Sequence, residues 1–205
     1  MKNCHVALKE WAVTIAALEQ GRQVVLLRKG GLLDPATDVS QAGTFSFEYS
    51  NFWLLPTHLH QDEKLVKPEH FDLFRTARDW RDAQQKEFLS LHLWARVERV
   101  WRFSADDAEV LANAPHIWSD SYLDLRLGYK PDEPLLCGAL RVFCVPQSVR
   151  VAWQTKFGGC RSWIETDEAL SLENAQPILN DAEFARQLAA FENSISRFGQ
   201  SFSQG

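Results

Sequence analysis

The chain has 205 residues, 45% hydrophobic and 24% charged, a globular mixture long enough for one domain with a sizeable core. Its net charge of −5 is uneven: residues 165–205 hold two cations and seven acids, while residues 1–164 carry 20 of each sign. That balance excludes a strongly basic nucleic-acid binder and leaves a neutral body with room for a local cationic patch beside an acidic tail.

Leu8, Trp11, Ala12, Ile15 and Leu18 fall at helical spacing, which predicts a helix from Val6 to Gln20 ended by Gly21. Lys9, Glu10 and Glu19 within that pattern argue against a signal peptide, and no apolar run is long enough to span a bilayer. The expectation is a soluble cytoplasmic protein. Val24 to Leu27 then form a buried strand that delivers Arg28 and Lys29 to a Gly30-Gly31 turn. Asp34-Pro35 and the residues through Gly43 read as loop. Phe45, Phe47 and Tyr49 alternate with Ser46, Glu48 and Ser50 as a half-buried strand, and Phe52 to Leu55 form another, ended by Pro56.

Pro68 to about Gln85 reads as a helix, and residues 88–103 as a long strand whose alternation slips between Val97 and Val100, the mark of a bulge. Ser104 with Asp107 is a capping box opening a short helix. Tyr122 to Tyr129 alternates as a strand, Leu135 to Val145 is a strand closed by Pro146, and Val149 to Trp153 is one more. Phe157 to Trp163 is a turn with an aromatic anchor at each end, and Asn180 with Glu183 caps a last helix. The order predicts an α+β fold: a curved, mostly antiparallel sheet or small barrel with flanking helices and a C-terminal helix. Residues 1–164 are expected to form the domain, and 165–205 an acidic segment whose helix packs on it and whose end frays. Cys4, Cys137, Cys144 and Cys160 make no CxxC pair, so reduced thiols are expected.

Two resemblances bear on function. The helix, Gly21, the apolar strand and Arg28 are laid out as in ASCH domains, members of the PUA-like group, although Gln23 and Leu26 stand where those domains carry a lysine and a glutamate. A longer resemblance is to an uncharacterised bacterial family, domain of unknown function DUF1802, through ALKEWA (7–12), LLRKGG (26–31), LLPTHLHQ (54–61), KP (67–68), LRVFCVP (140–146) and GGCRSW (158–163). The first resemblance implies a PUA-like sheet; the second implies little chemistry beyond an association with restriction-type nuclease domains, which fits a reader of nucleic acid.

The candidate binding residues follow. Arg28 and Lys29 beside Gly30 and Gly31 can hold a phosphate or carboxylate, or can end in an ion pair to a nearby glutamate. Thr57, His58, His60 and Gln61 can bond a base edge or phosphate; His58 and His60 lack a third ligand, so no metal is expected. Trp94 can stack a base or lie buried. Arg126 and Lys130 are placed on a hairpin neighbour of Arg141, which is either paired to an acid such as Asp124 or turned into a cleft. Gly158, Gly159, Arg161 and Trp163 form either an anion nest or a plain tight turn. The expectation is a DNA or RNA binder, or a reader of a modified nucleotide, with no cofactor. The alternatives are a metal-dependent nuclease or other nucleotide enzyme, using Asp62-Glu63-Lys64 or Cys160, and a protein-interaction adaptor presenting exposed Trp.

Overall fold

The computed structural model describes residues 3–29, 45–58, 61–83, 87–158 and 161–196. β1 (Asn3–Trp11) passes directly into α1 (Ala12–Glu19). β1 lies between two strands and buries Val6, Ala7 and Leu8, so its apolar residues run on without alternation. The helix expected from Val6 therefore begins only at Ala12, because an interior strand here imitates a helical stripe. Residues 12–18 are all buried, with Val13, Ala16 and Ala17 packed on one side and Ile15 and Leu18 on the other. A helix apolar all round belongs inside the molecule. Gly21 ends it as expected, at φ 64°: its N–H donates to Leu18 O at 3.1 Å and that of Arg22 to Ala17 O at 2.9 Å, satisfying carbonyls the helix leaves open.

The remaining elements are β2 (Val25–Arg28), β3 (Asn51–Thr57), α2 (Leu73–Ala83), β4 (Phe88–Phe103), α3 (Ala108–Ala112), α4 (Asp120–Gly128), β5 (Leu135–Ala152), β6 (Trp163–Ser171), β7 (Gln176–Pro177) and α5 (Asp181–Ser196). Among the described residues the fold is α+β, with one open, curved sheet in the order β2-β5-β4-β3-β1-β6, β7 adding to β5. Only β1 and β3 run parallel; the other pairs are antiparallel. No described helix is long and apolar enough to cross a membrane.

β4 has its bulge where the phase slip put it, between Val97 and Arg99. A second irregularity is larger: Leu91 pairs with Val149 but Leu93 with Cys144, so residues 145–148 stand opposite His92 alone. Pro146 sits inside that gap, where a missing N–H breaks no ladder, and β5 runs on past it to Ala152 as a single strand. Pro56 likewise lies within β3, beyond the last pair with β4 at Trp53, rather than ending the strand. Both prolines were expected as stops; each falls where pairing with β4 is absent, although Pro56 stays in register with Glu10 of β1.

Three other expectations are corrected. Phe45 to Tyr49 shows the expected alternation of burial but joins no ladder; it is held by side chains, Trp163 Nε1 donating to Ser46 O at 3.1 Å and the Phe47 ring lying on Gly138. Tyr122 to Tyr129 is mostly α4: Ser119 Oγ accepts from Tyr122 N–H, and burial falls on Tyr122, Leu123 and Leu127 while Leu125 stays 55% exposed. Arg126 and Lys130 are thus not on a hairpin beside Arg141. β6 was not expected; its Glu165, Asp167 and Glu168 mark a charged edge strand, half in water. Both capping boxes form, Ser104 N–H donating to Asp107 Oδ2 at 2.6 Å, and Asn180 and Glu183 bonding each other's N–H at 2.9 and 3.2 Å.

Candidate functional site

The end of β1 carries the chain's most connected buried charge. Glu10 is 3% exposed, and its Oε1 accepts from Trp11 N–H at 2.7 Å and from Thr14 Oγ1 at 3.4 Å. Its Oε2 takes Arg28 Nη1 at 3.0 Å. Arg28, the last residue of β2, also donates to Lys9 O at 3.3 Å and to Ser162 Oγ, and its guanidinium lies over the Phe45 ring at 4.8 Å. Three chain segments are therefore tied together through one arginine, as its planar fork allows. Its Nε is buried with no partner.

A second arginine reaches the same end of β1 from the side of α4. Arg126 lies over Trp11 at 5.4 Å and over Tyr122 at 5.3 Å, and Glu10 and Tyr122 both favour its charged form. No carboxylate bonds it among the described residues, and its Nε is buried without a partner. Tyr122 stacks on Trp118 at 4.0 Å and donates to Leu27 O at 3.3 Å; burial raises its phenol above the usual value. Lys29, 5% exposed, donates to Leu127 O at 3.3 Å, and burial pushes its ammonium below the usual range against the pull of Glu133 and Asp132. Two guanidiniums packed on aromatic rings thus gather beside the enclosed Glu10 carboxylate, while Lys29 sits by Glu133 and Asp132. Such a place favours an added anion, and its rings favour a flat one.

The neighbouring candidates act as supports. Thr57 Oγ1 donates to Glu10 O at 3.1 Å, which fixes the end of β3 against β1. Gln61 Oε1 accepts from Val13 N–H at 2.8 Å, capping the first turn of α1. Gly158 O accepts from Lys9 Nζ at 3.3 Å. Trp163 is 7% exposed and stacks on Phe45 at 5.8 Å, so it backs the ring beneath Arg28. Arg161 lines a separate groove of about 440 Å³ with Glu48, Tyr49 and Lys156. In it Tyr49 donates to Glu165 Oε1 at 2.8 Å, a bond that pushes its phenol up to about 12. His58 lies at the end of β3, next to Thr57.

The other candidates stand elsewhere. Trp94 is buried and stacked flat on Phe143, centroids 4.3 Å apart. Lys130 pairs with Glu133 at 3.0 Å. Arg141 is buried and pairs with Asp181 at 2.6 Å, not Asp124, fastening the start of α5 to β5. Asp62 Oδ1 accepts from Lys64 N–H at 2.9 Å, a turn cap. Gly30, Gly31, His60, Gly159 and Cys160 lie outside the described residues. Among the described residues no three His, Cys, Asp or Glu side chains are grouped closely enough to hold a metal ion. Glu10, Trp11, Tyr122 and Ser162 were missed as members of the cluster; the signal was a lone acid in an apolar run, read as the polar side of a helix.

The architecture defines a small α+β domain with an arginine-rich, aromatic-backed cluster at one end of a curved sheet. The chain belongs to the family described as domain of unknown function DUF1802, whose pattern matches residues 7–190. Among solved structures it is similar to ASCH from Zymomonas mobilis, at 13% identity and a TM-score of 0.42, over 90% of this chain and 92% of that one. It is similar as well to a single-residue variant of the same protein, at 12% identity and a TM-score of 0.39, over 90% and 93%. No curated protein matches it.

Proposed function

We propose that this protein binds nucleic acid, or a modified nucleotide within it, through the cluster of Arg28, Lys29 and Arg126. The observation that carries the reading is Arg126. Its guanidinium lies over both an indole and a phenol, has no carboxylate bonded to it among the described residues, and leaves a buried Nε unpartnered. A phosphate oxygen supplies what that group lacks, and bidentate Arg–phosphate pairs are among the stronger hydrogen-bonded contacts. The rings of Trp11, Phe45 and Tyr122 give a base or sugar an apolar wall.

The adaptor reading has less behind it, because of the eight Trp only Trp153 is exposed. The nuclease reading loses its carboxylates, since Asp62 is engaged in its own turn. The test is fluorescence anisotropy with short single-stranded RNA and DNA over a salt series, on the wild type and Arg126→Ala. Binding should weaken with salt and the variant's slope should be shallower by about one counterion. Salt-independent binding, or a variant that binds as the wild type does, rejects the reading.

A further inference from the structure

The second irregularity between β4 and β5 opens a cavity. With residues 145–148 bulged opposite His92, no ladder fills the space, and a hollow of about 290 Å³ is left under α2. Leu55, Pro56 and Trp80 give it apolar walls, and His58, Ser90, His92 and Ser148 give it polar groups. No arginine or lysine lines it among the described residues.

The polar end is organised. His92 Nε2 stands 2.8 Å from Glu19 Oε1, at the last residue of α1. A carboxylate only accepts there, so Nε2 carries the hydrogen and the ring is held in one orientation. Trp80 meets the imidazole edge-on, centroids 5.6 Å apart at 74°, which fixes the ring's tilt. The serine hydroxyls donate or accept as needed. The hollow therefore presents a flat apolar slot edged by two imidazoles and two adaptable hydroxyls, with the Glu19 carboxylate behind His92.

We infer that this cavity binds a flat heteroaromatic ring of the nucleobase class, with its polar edge on His92 and the two serines and the ring against Trp80. Among the described residues no arginine or lysine lines the cavity to hold an anionic group, and an alkyl chain leaves the imidazoles and both hydroxyls unsatisfied. The inference deepens the nucleic-acid reading and rests on it for the source of the ring. Pro56, in the cavity wall, pairs with Glu10 in the β1–β3 register, so cavity and cationic cluster share the end of β3.

The experiment separates the two. Free adenosine, cytidine, guanosine and uridine are titrated into the full chain while the indole resonances and tryptophan fluorescence are followed; an abasic oligonucleotide serves as the phosphate-only probe. At least one nucleoside should shift the Trp80 indole, and His92→Phe, with its melting temperature compared with wild type, should bind it about tenfold more weakly. Arg126→Ala should weaken the abasic probe. Ser148→Phe, which fills the hollow from an exposed bulge position, provides a second variant should His92→Phe unfold. If no nucleoside shifts Trp80, or if neither variant weakens binding, the cavity inference fails even when the abasic probe binds. If nucleosides bind as stated and the abasic probe does not, the pocket stands and the phosphate reading falls.

Discussion

Arg28 Nη1 meets Glu10 Oε2 at 3.0 Å, where the carboxylate side chain is 3% exposed and the guanidinium 13%. The pair joins the end of β2 to the end of β1, two strands that are not neighbours in the sheet. Removing one partner of an enclosed pair leaves the other charged and unsatisfied. Glu10→Gln should therefore destabilise the fold by roughly 3 kcal/mol in urea unfolding. A loss below about 1 kcal/mol would place the pair with surface ion pairs instead.

His116 gives the protein a pH dependence. It is 3% exposed, its Nε2 donates to Leu111 O at 2.7 Å, and its Nδ1 accepts from Trp118 N–H at 3.1 Å. Burial, with Lys67 nearby, lowers its pKa from 6.5 to about 4. The unfolded chain thus binds the proton first as pH falls, so the stabilisation is complete above pH 6.5 and drains away towards pH 4. The loss should be on the order of 3 kcal/mol. Urea midpoints across this window measure it, and His116→Gln should flatten the curve there. An unchanged slope in the variant would assign the acid sensitivity to other groups.

Gly138 carries the Phe47 ring, and an added Cβ would stand 2.4 Å from the ring's Cζ. Gly138→Ala should cost about 1–3 kcal/mol through overpacking. In a Phe47→Leu background the same substitution should cost less, since the shorter side chain yields the space. A double-mutant cycle measures that coupling; equal costs in both backgrounds would show that Phe47 is not what the methyl meets.

Arg141 offers a contrasting outcome. Its guanidinium is bonded to Asp181 and Asn180 O and lies over Phe184 at 4.9 Å, all at the start of α5. Arg141→Ala should leave nucleic-acid affinity unchanged while speeding amide exchange in the first turns of α5. A loss of affinity equal to that of Arg126→Ala would place Arg141 in the binding surface.

What was legible depended on whether local chemistry or tertiary pairing decided the element. The capping boxes at Ser104 and Asn180, the αL glycine at 21 and the bulge after Val97 are local signals, and all four are found. β1 was unreadable because a strand buried on both faces has no period of its own. α4 was misread because Tyr122, Leu123, Leu125 and Leu127 fit an alternating pattern as well as a helical one; the Ser119 cap was the better clue. Within the site, Arg28 was visible as a cation closing an apolar strand. Its partner was not, since Glu10 becomes buried only when β1 is a strand and α1 starts after it. Arg126 was named, but its place beside Trp11 follows from α4 being a helix.

β1 pairs with β3 on one side and with β6 on the other, so residues 3–11 are flanked by a strand about 45 positions away and by another at 163–171. The second of these closes a loop enclosing most of the described chain, an entropic debt settled late. During synthesis the first strand emerges with one flank bare and waits for nearly everything else. An apolar ribbon left open for that long is an invitation to mispair, and a chaperone's hold or a slow refolding phase is the expected signature.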